Sequence, residues 1–155
     1  MITLTPVERD IHSHLLLLAK EGDPANPAGS ACITYKGLGR AIDPEGRNPG
    51  MSRPPFRTMF PSLGHVSMYE VEHGRPMLSA LVVSQETGTA GPGFAELARH
   101  LQFEVEDDEA FWRRELQETV RFWSANDPVL VVDAAVDRVL EELKQIKALL
   151  RKRGA

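Results

Sequence analysis

The chain has 155 residues, of which 42% are hydrophobic and 26% charged, and its formal net charge is −4. These values are ordinary for a globular protein with one domain and a sizeable core. The longest wholly apolar runs, residues 15–19 and 129–132, are too short to span a bilayer, which excludes a membrane-spanning protein.

Two further features predict a cytoplasmic protein without a membrane partner. The first residues, MITLTPVERD, lack the basic and then apolar segments of a signal peptide. Cys32 is the single cysteine, so no internal disulfide can form, as expected for a reducing compartment.

The charge is distributed unevenly along the sequence. Residues 1–76 contain 8 Lys/Arg and 8 Asp/Glu, residues 77–128 contain 4 and 10, and residues 129–155 contain 6 and 4. Within the neutral first block, five cations between Lys36 and Arg57 stand against only Asp43 and Glu45. A local basic face on an acidic protein is therefore predicted, with scattered solvated arginines as the alternative.

The first half of the chain predicts three helices. Thr5-Pro6-Val7-Glu8 is typical of a capped helix start, and the apolar stripe that follows ends near Gly22. After a predicted loop over 23–30 and a brief extended piece at 33–35, Thr34 is expected to cap a short helix through Ile42.

Residues 43–58 contain four prolines and two glycines and are expected to be irregular. A third helix over 62–72 is predicted to stop at Gly74.

The run Met77 to Val83 lies between Pro76 and Gly88 and predicts a buried strand, with a reversal at Gly88. A helix is expected to begin at Phe94. Acidic residues 104–109 precede a helix over about 108–124, since negative charge favours a helix N-terminus. One ridge of that helix is predicted to pack in the core: Trp112, Leu116, Val120 and Trp123.

The last segment shows a different periodicity. From Val132 to Leu150 the apolar positions follow steps of four and three, a heptad repeat: 132, 136, 139, 143, 146 and 150. Two interpretations stay open, a terminal helix docked on its own domain and a helix that pairs with another chain, which would make an oligomer. The elements together predict a mostly helical α+β fold, with a winged-helix-like core over 1–126, one short strand or hairpin, and an amphipathic helix over 127–155.

Residue patterns for catalysis are weak. His12 and His14 would lie about 200° apart around a helix, and His65 and His73 two turns apart, so no metal site is predicted. Cys32 is expected to be a buried, unreactive thiol.

Ser79 lacks the glycine-flanked turn of a hydrolase serine. Glu142 and Lys144 match the Glu-x-Lys pair of nucleases, but that pair needs a strand and here falls in a helix. No Gly-rich phosphate loop occurs, and no cofactor is predicted.

Two stretches carry a resemblance to known families. ITYKGLGRAI (33–42) and LGHVSMYEVEHGRPMLSALVV (63–83) are similar to the helical DNA-binding part of the alkylguanine-DNA alkyltransferase and alkyltransferase-like family. The second stretch also resembles small uncharacterised bacterial proteins that share the pattern GRPxLSxxVV…PGxGF, which imply no activity.

The alkyltransferase resemblance implies a DNA-binding fold without the family's reaction. Its reactive Cys-His-Arg falls on Ser79-Ala80-Leu81, so there is no thiolate to accept an alkyl group, and its preceding proline falls on Leu78. The family's helix arginine falls on His65, and the proline-rich 43–58 segment has no counterpart in the family.

The sequence therefore predicts a non-catalytic, DNA- or RNA-binding or regulatory winged-helix domain. The helix at 62–72 would read bases with its outer face, and flanking cations would contact phosphates. The predicted nucleic-acid-binding residues are Lys36, Arg40, Arg53, Arg57, Ser62, His65, Met68 and Arg75. One alternative is an assembly subunit that forms a homo-oligomer or binds a partner helix through 129–150. The other is a small hydrolase or nuclease-like enzyme whose cleft would be lined by 43–58, His73, Arg75 and the GPGF loop at 91–94.

Overall fold

The computed structural model describes residues 1–154, and the side chains of all of these except 129–138 and 154. The chain divides into two compact units, Met1–Ala125 and Asn126–Ala155. The α-helices are α1 (Pro6–Glu21), α2 (Pro27–Ala31), α3 (Tyr35–Ile42), α4 (Pro49–Ser52), α5 (Met59–Glu72), α6 (Pro92–His100), α7 (Asp108–Ala125) and α8 (Pro128–Gly154). The strands are β1 (Ile33–Thr34) and β2 (Val82–Val83), and a 3₁₀ helix covers Leu78–Leu81. The predicted mostly helical α+β class is confirmed.

The core of the first unit forms where α1, α5, α7 and the 3₁₀ helix pack on one another. The predicted capping box of α1 is confirmed: Glu8 N–H donates to Thr5 Oγ1 at 3.2 Å, and Thr5 N–H donates to Glu8 Oε1 at 3.0 Å. The predicted core ridge of α7 is also confirmed, because all four of its side chains are buried. None of the described helices combines the length and the apolar composition that crossing a membrane requires.

Three predicted boundaries were wrong in part, each because a proline begins or sits in the first turn of a helix. The predicted loop 23–30 contains the start of α2, where Pro27 follows an Asn26 side chain that accepts the Gly29 N–H. The irregular 43–58 segment contains α4, which begins at Pro49. Helix α5 begins at Met59 rather than at 62, since Pro61 falls in its first turn, where backbone N–H groups have no helical acceptor.

The stretch Met77–Val83 is buried as predicted, but it is not one strand. Only Val82–Val83 forms a strand, and the four preceding residues form the 3₁₀ helix. Their polar backbone groups bond to side chains from neighbouring helices: Ser79 N–H donates to Ser67 Oγ at 3.0 Å, and Trp112 Nε1–H donates to Ala80 O at 2.8 Å. A buried backbone satisfied in this way needs no partner strand.

The sheet is a parallel pair, so it is not a hairpin. Ile33 pairs with Val82 and Thr34 pairs with Val83. Thr34 also caps α3, as predicted, because its Oγ1 accepts the Gly37 N–H at 3.0 Å. The strand pair therefore fixes where α3 begins.

Helix α5 ends in a Schellman motif at the predicted Gly74. Gly74 has a φ of +70°, its N–H donates to Val71 O, and the Arg75 N–H donates to Glu70 O. Glycine adopts this left-handed conformation at little cost. The reversal brings the Arg75 side chain back against the carboxylate of Glu70.

That carboxylate is the most deeply buried charge of the first unit. Glu70 is 0% exposed, and Arg75 donates to its two oxygens from Nε and Nη2 at 2.8 Å each. His12 Nε2–H donates to Oε1 at 2.7 Å from α1. The Arg75 guanidinium in turn lies 5.7 Å from the ring centres of Tyr69 and Trp123. One carboxylate thus connects α1, α5 and α7.

The charge on Glu70 is stabilised in the folded state. Burial alone raises the pKa of Glu70, but the hydrogen bonds from Arg75 and His12 and the charge of Arg75 outweigh it, so the pKa lies below its ordinary value. A carboxylate whose folded pKa is depressed stabilises the native state at neutral pH, and that stabilisation is lost as the pH falls through the folded value.

Replacing Arg75 with methionine should destabilise the protein by about 3–5 kcal/mol at neutral pH, because Glu70 is then buried without its ion pair. Urea denaturation measures the change. The matched control is Arg121→Met, which removes an exposed pair with Glu118 and should cost less than about 1 kcal/mol. The deficit of Arg75→Met should shrink on acidification, as Glu70 becomes protonated. Equal losses in the two variants would contradict this account of the core.

Candidate functional site

The predicted basic residues lie on α3 and on the segment that follows it. The two parts touch where Gly39 meets α4: a Cβ on Gly39 would be 2.6 Å from Met51 O and 2.9 Å from Ser52 Cα. Any larger residue at this position would push α4 off α3. The close approach therefore holds residues 49–53 against the helix that carries Lys36 and Arg40.

The carboxylate of Asp43 organises the intervening loop. It accepts the N–H groups of Arg47 and Asn48 at 2.9 Å each and the hydroxyl of Ser52 at 2.8 Å. The hydrogen bond from Asn48 is the main cause that lowers the pKa of Asp43. Glu45 pairs with Arg47 at 2.5 Å. Both acidic residues of the segment are thus engaged within the loop itself.

Three aromatic side chains cluster beside this loop. The ring centre of Tyr35 lies 6.0 Å from that of Phe56 and 5.1 Å from that of Phe60, and the two phenylalanine rings are 6.1 Å apart. Phe60 is 51% exposed. Phe56 has a φ of 56°, which is unusual for a bulky residue and costs free energy. Phe56 and Phe60 thus both pack against Tyr35, and Phe60 is the ring that is open to solvent.

Tyr35 is itself fixed by the loop before α6. Its hydroxyl accepts the Gly91 N–H at 3.3 Å. Burial raises the pKa of Tyr35, against the smaller opposing effect of that hydrogen bond. The phenol is therefore neutral and serves to position the cluster.

Four cations lie close to these three aromatic residues along the sequence, and all four are exposed: Lys36, Arg40, Arg53 and Arg57. None of them forms an ion pair with another of the residues that the structure describes. Arg99 on α6 and Arg113 and Arg121 on α7 do each pair with a carboxylate, whereas Arg114 on α7 is also exposed without such a pair in the described part of the chain. Residues 33–60 contain five Lys/Arg and two Asp/Glu, a net charge of +3 on a chain of −4. We call Tyr35, Lys36, Arg40, Arg53, Phe56, Arg57 and Phe60 the cationic–aromatic segment.

The other predicted binding residues lie elsewhere. Ser62 is buried in the core, and Met68 is half-buried. Arg75 is bound to Glu70. His65 is 54% exposed, but its Nδ1–H donates to Glu8 Oε2 at 2.6 Å. The outer face of α5 therefore offers less free hydrogen-bonding capacity than the sequence predicted.

The hydrogen bond between His65 and Glu8 joins the N-terminal cap of α1 to the middle of α5. Burial raises the pKa of Glu8, but the hydrogen bonds from Thr5 and His65 outweigh it, and the net effect lowers the pKa. Glu8 and Glu70 thus each accept a hydrogen bond from a histidine on the neighbouring helix. These two bonds set the orientation of α5 against α1.

The features considered for catalysis do not assemble into a reactive centre. Ser79 is buried, and its hydroxyl lies 2.6 Å from that of Ser67. No three metal-ligating side chains among the described residues are placed to hold an ion. A surface hollow of about 410 Å³ near residues 87–95 has two acidic groups, but Asp108 pairs with Arg99 and Glu109 with Arg113.

No protein-family model, curated protein or solved structure matches this chain.

Sequence reasoning found the cations of the segment but missed Phe56 and Phe60. A signal was present in PPFRTMF, which interleaves two aromatic residues with Arg57, in a chain with only 6% aromatic residues. Basic and aromatic residues in alternation are typical of surfaces that bind single-stranded nucleic acid.

The Cys32 thiol should react slowly with iodoacetamide. Cys32 is half-buried rather than fully buried as predicted. Burial raises its pKa from 9.0 to about 11, so at pH 8 the thiolate fraction is roughly 100-fold below that of an unperturbed cysteine. Mass spectrometry of the native protein, with glutathione at the same pH as control, measures the rate. Alkylation as fast as that of glutathione would contradict the assignment of Cys32 as an unreactive thiol.

Proposed function

We propose that the protein binds single-stranded nucleic acid through the cationic–aromatic segment and catalyses no reaction. The observation that carries the proposal is the combination, within residues 35–60, of four exposed and unpaired cations with an aromatic cluster whose outer ring is half exposed. Cations attract the phosphates, and an open ring offers a surface on which a base stacks.

The charges support a phosphate ligand because they are not satisfied within the described structure. An arginine already paired with a carboxylate gains little from a phosphate, since the pair must first be broken. Arg53 and Arg57 need no such exchange. The nearest acidic residues in sequence, Asp43 and Glu45, are engaged by the loop and by Arg47. The segment therefore offers a positive potential in spite of the net charge of the chain.

The aromatic cluster favours a single strand over a duplex. Bases in a duplex are stacked on one another and present only their edges, whereas an unpaired base can lie on Phe60. Tyr35 and Phe56 support that ring from behind, at 5.1 Å and 6.1 Å between ring centres. A supported ring loses little rotational freedom when a base stacks on it.

The winged-helix interpretation would place α5 along a duplex groove, with Ser62, His65 and Met68 reading bases. The burial of Ser62 and the bond between His65 and Glu8 count against that use of α5. The proposal therefore keeps Lys36, Arg40, Arg53 and Arg57 as ligands of phosphate. It assigns Ser62 and Arg75 to the core.

Replacing Arg53 and Arg57 together with alanine should weaken binding to a labelled single-stranded oligonucleotide. The slope of log affinity against log salt should fall in magnitude by about 1.4, because about 0.7 counterions are released per phosphate contact on a single strand. Fluorescence anisotropy at several salt concentrations measures both quantities. The matched control is Arg113→Ala with Arg121→Ala, which removes the same charge from arginines that are already paired.

Equal losses in the two double variants would mean that only the total charge matters, and would contradict a site at residues 53–57. Absence of binding by the wild-type protein at low salt, to single and double strands alike, would overturn the proposal.

Phe60→Ala should weaken single-strand binding by about 5- to 150-fold, the range that loss of one stacked base produces, and should leave duplex binding unchanged. About half of Phe60 is exposed, so the stability measured by urea should fall less than the roughly 3–5 kcal/mol that is typical of a fully buried phenylalanine. The control is Leu17→Ala, another exposed apolar residue, on α1. An unchanged affinity of Phe60→Ala would show that charge alone holds the strand.

A further inference from the structure

Helix α8 carries a face of exposed apolar side chains along residues 139–150. Six large side chains between residues 139 and 150 each have half or more of their surface exposed: Val139 at 52%, Leu140 at 50%, Leu143 at 53%, Ile146 at 52%, Leu149 at 64% and Leu150 at 63%. Burial of such side chains is a large source of stability in water. A face of this size indicates an interaction surface.

The face has the register of a coiled coil. Leu143 and Leu150 take heptad position a, and Val139 and Ile146 take position d. The earlier positions of the repeat, 132 and 136, lie outside the residues whose side chains the structure describes. Leu140 and Leu149 fall at the flanking positions e and g. At 100° per residue the six side chains cover an arc of about 180°, wider than the a and d seam of a two-stranded coil.

The charges beside this face are complementary to those of a second copy. Glu142 falls at position g and Lys147 at position e, five residues later. In a parallel, in-register coil, position g of one helix lies beside position e of the next heptad on its neighbour, so Glu142 meets Lys147 of the other copy. In an antiparallel pair g faces g and e faces e, and Glu142 then meets no lysine. The face therefore fits another copy of itself in one orientation.

The side-chain types at a and d indicate how many copies assemble. Leucine at a with isoleucine at d favours three or four strands, whereas β-branched residues at a with leucine at d favour two. Two of the three a positions are leucine, Leu143 and Leu150, and the third is Val136. The three apolar d positions are all β-branched: Val132, Val139 and Ile146. A four-stranded coil also covers the flanking Leu140 and Leu149, which a two-stranded coil would leave in water.

We infer that α8 assembles four copies of this chain into a parallel, in-register coiled coil. The inference is independent of the proposed nucleic-acid binding, since it uses no residue of the cationic–aromatic segment. The Arg53→Ala, Arg57→Ala protein should assemble like the wild type, and the failure of either proposal leaves the other intact.

Sedimentation equilibrium of the full chain tests the number of copies. Four chains of 17.2 kDa give a mass of about 69 kDa. Leu143→Asp with Ile146→Asp should give the monomer mass, because charges replace an a and a d residue. The matched control is Lys144→Glu, at an outward position b, which should keep four copies. The urea midpoint of tryptophan fluorescence checks folding, since Trp112 and Trp123 lie in the first unit. A monomer, dimer or trimer mass for the wild-type protein overturns the inference.

Three further variants test the orientation. Glu142→Lys should raise the concentration of half-dissociation several-fold, since lysine then faces lysine, and adding Lys147→Glu should restore it. Arg153→Cys, at position d in a Cys32→Ser background, should cross-link neighbouring copies through a disulfide on oxidation by copper–phenanthroline, because parallel helices bring equivalent d positions together. Cross-linking in Arg153→Cys and rescue by the charge swap support the parallel coil. Failure of both overturns it.

Discussion

The carboxylate of Glu70 is the constraint on which the first unit depends. A buried charge costs several kcal/mol unless donors surround it. Here a bidentate arginine and a histidine, at 2.7–2.8 Å, supply them. His12 comes from α1 and Arg75 from the turn after α5. The charge of Glu70 is therefore satisfied only when α5, this turn and α1 are all in place. Arg75, placed by the glycine turn, in turn packs on Trp123 of α7.

The same constraint positions the candidate site. Helix α5 is bound to α1 through Glu70 and His12 near its C-terminal end, and through His65 and Glu8 near its middle. Its first turn carries Phe60, so the orientation of the exposed ring follows from buried polar contacts further along the helix.

Under the two proposals, α8 would add multivalency. Four copies that each bind a strand weakly would together bind a longer strand more tightly, without any new contact.

Local signals in the sequence were enough for most helices, because caps, prolines and glycines act on the residues next to them. Thr5, Thr34 and Gly74 each lie at the predicted helix end. The 3₁₀ helix could not be predicted in the same way. Its backbone bonds to Ser67 and to Trp112, which are distant in sequence, and an apolar run alone does not reveal such partners. The burial of Glu70 could not be predicted either, because its donors come from positions 12 and 75.

The central functional claim is that a single strand lies on the cationic–aromatic segment. The most direct measurement is an NMR titration of the full chain with an unlabelled single-stranded oligonucleotide, followed in ¹H–¹⁵N spectra for the amides and in aromatic ¹H–¹³C spectra for the rings. The account predicts that the shifted amides fall within residues 35–42 and 46–60, with the ring protons of Phe60 moved upfield by the stacked base. Shifts confined to the outer face of α5, or to the basic end of α8 at Arg151, Lys152 and Arg153, would contradict it.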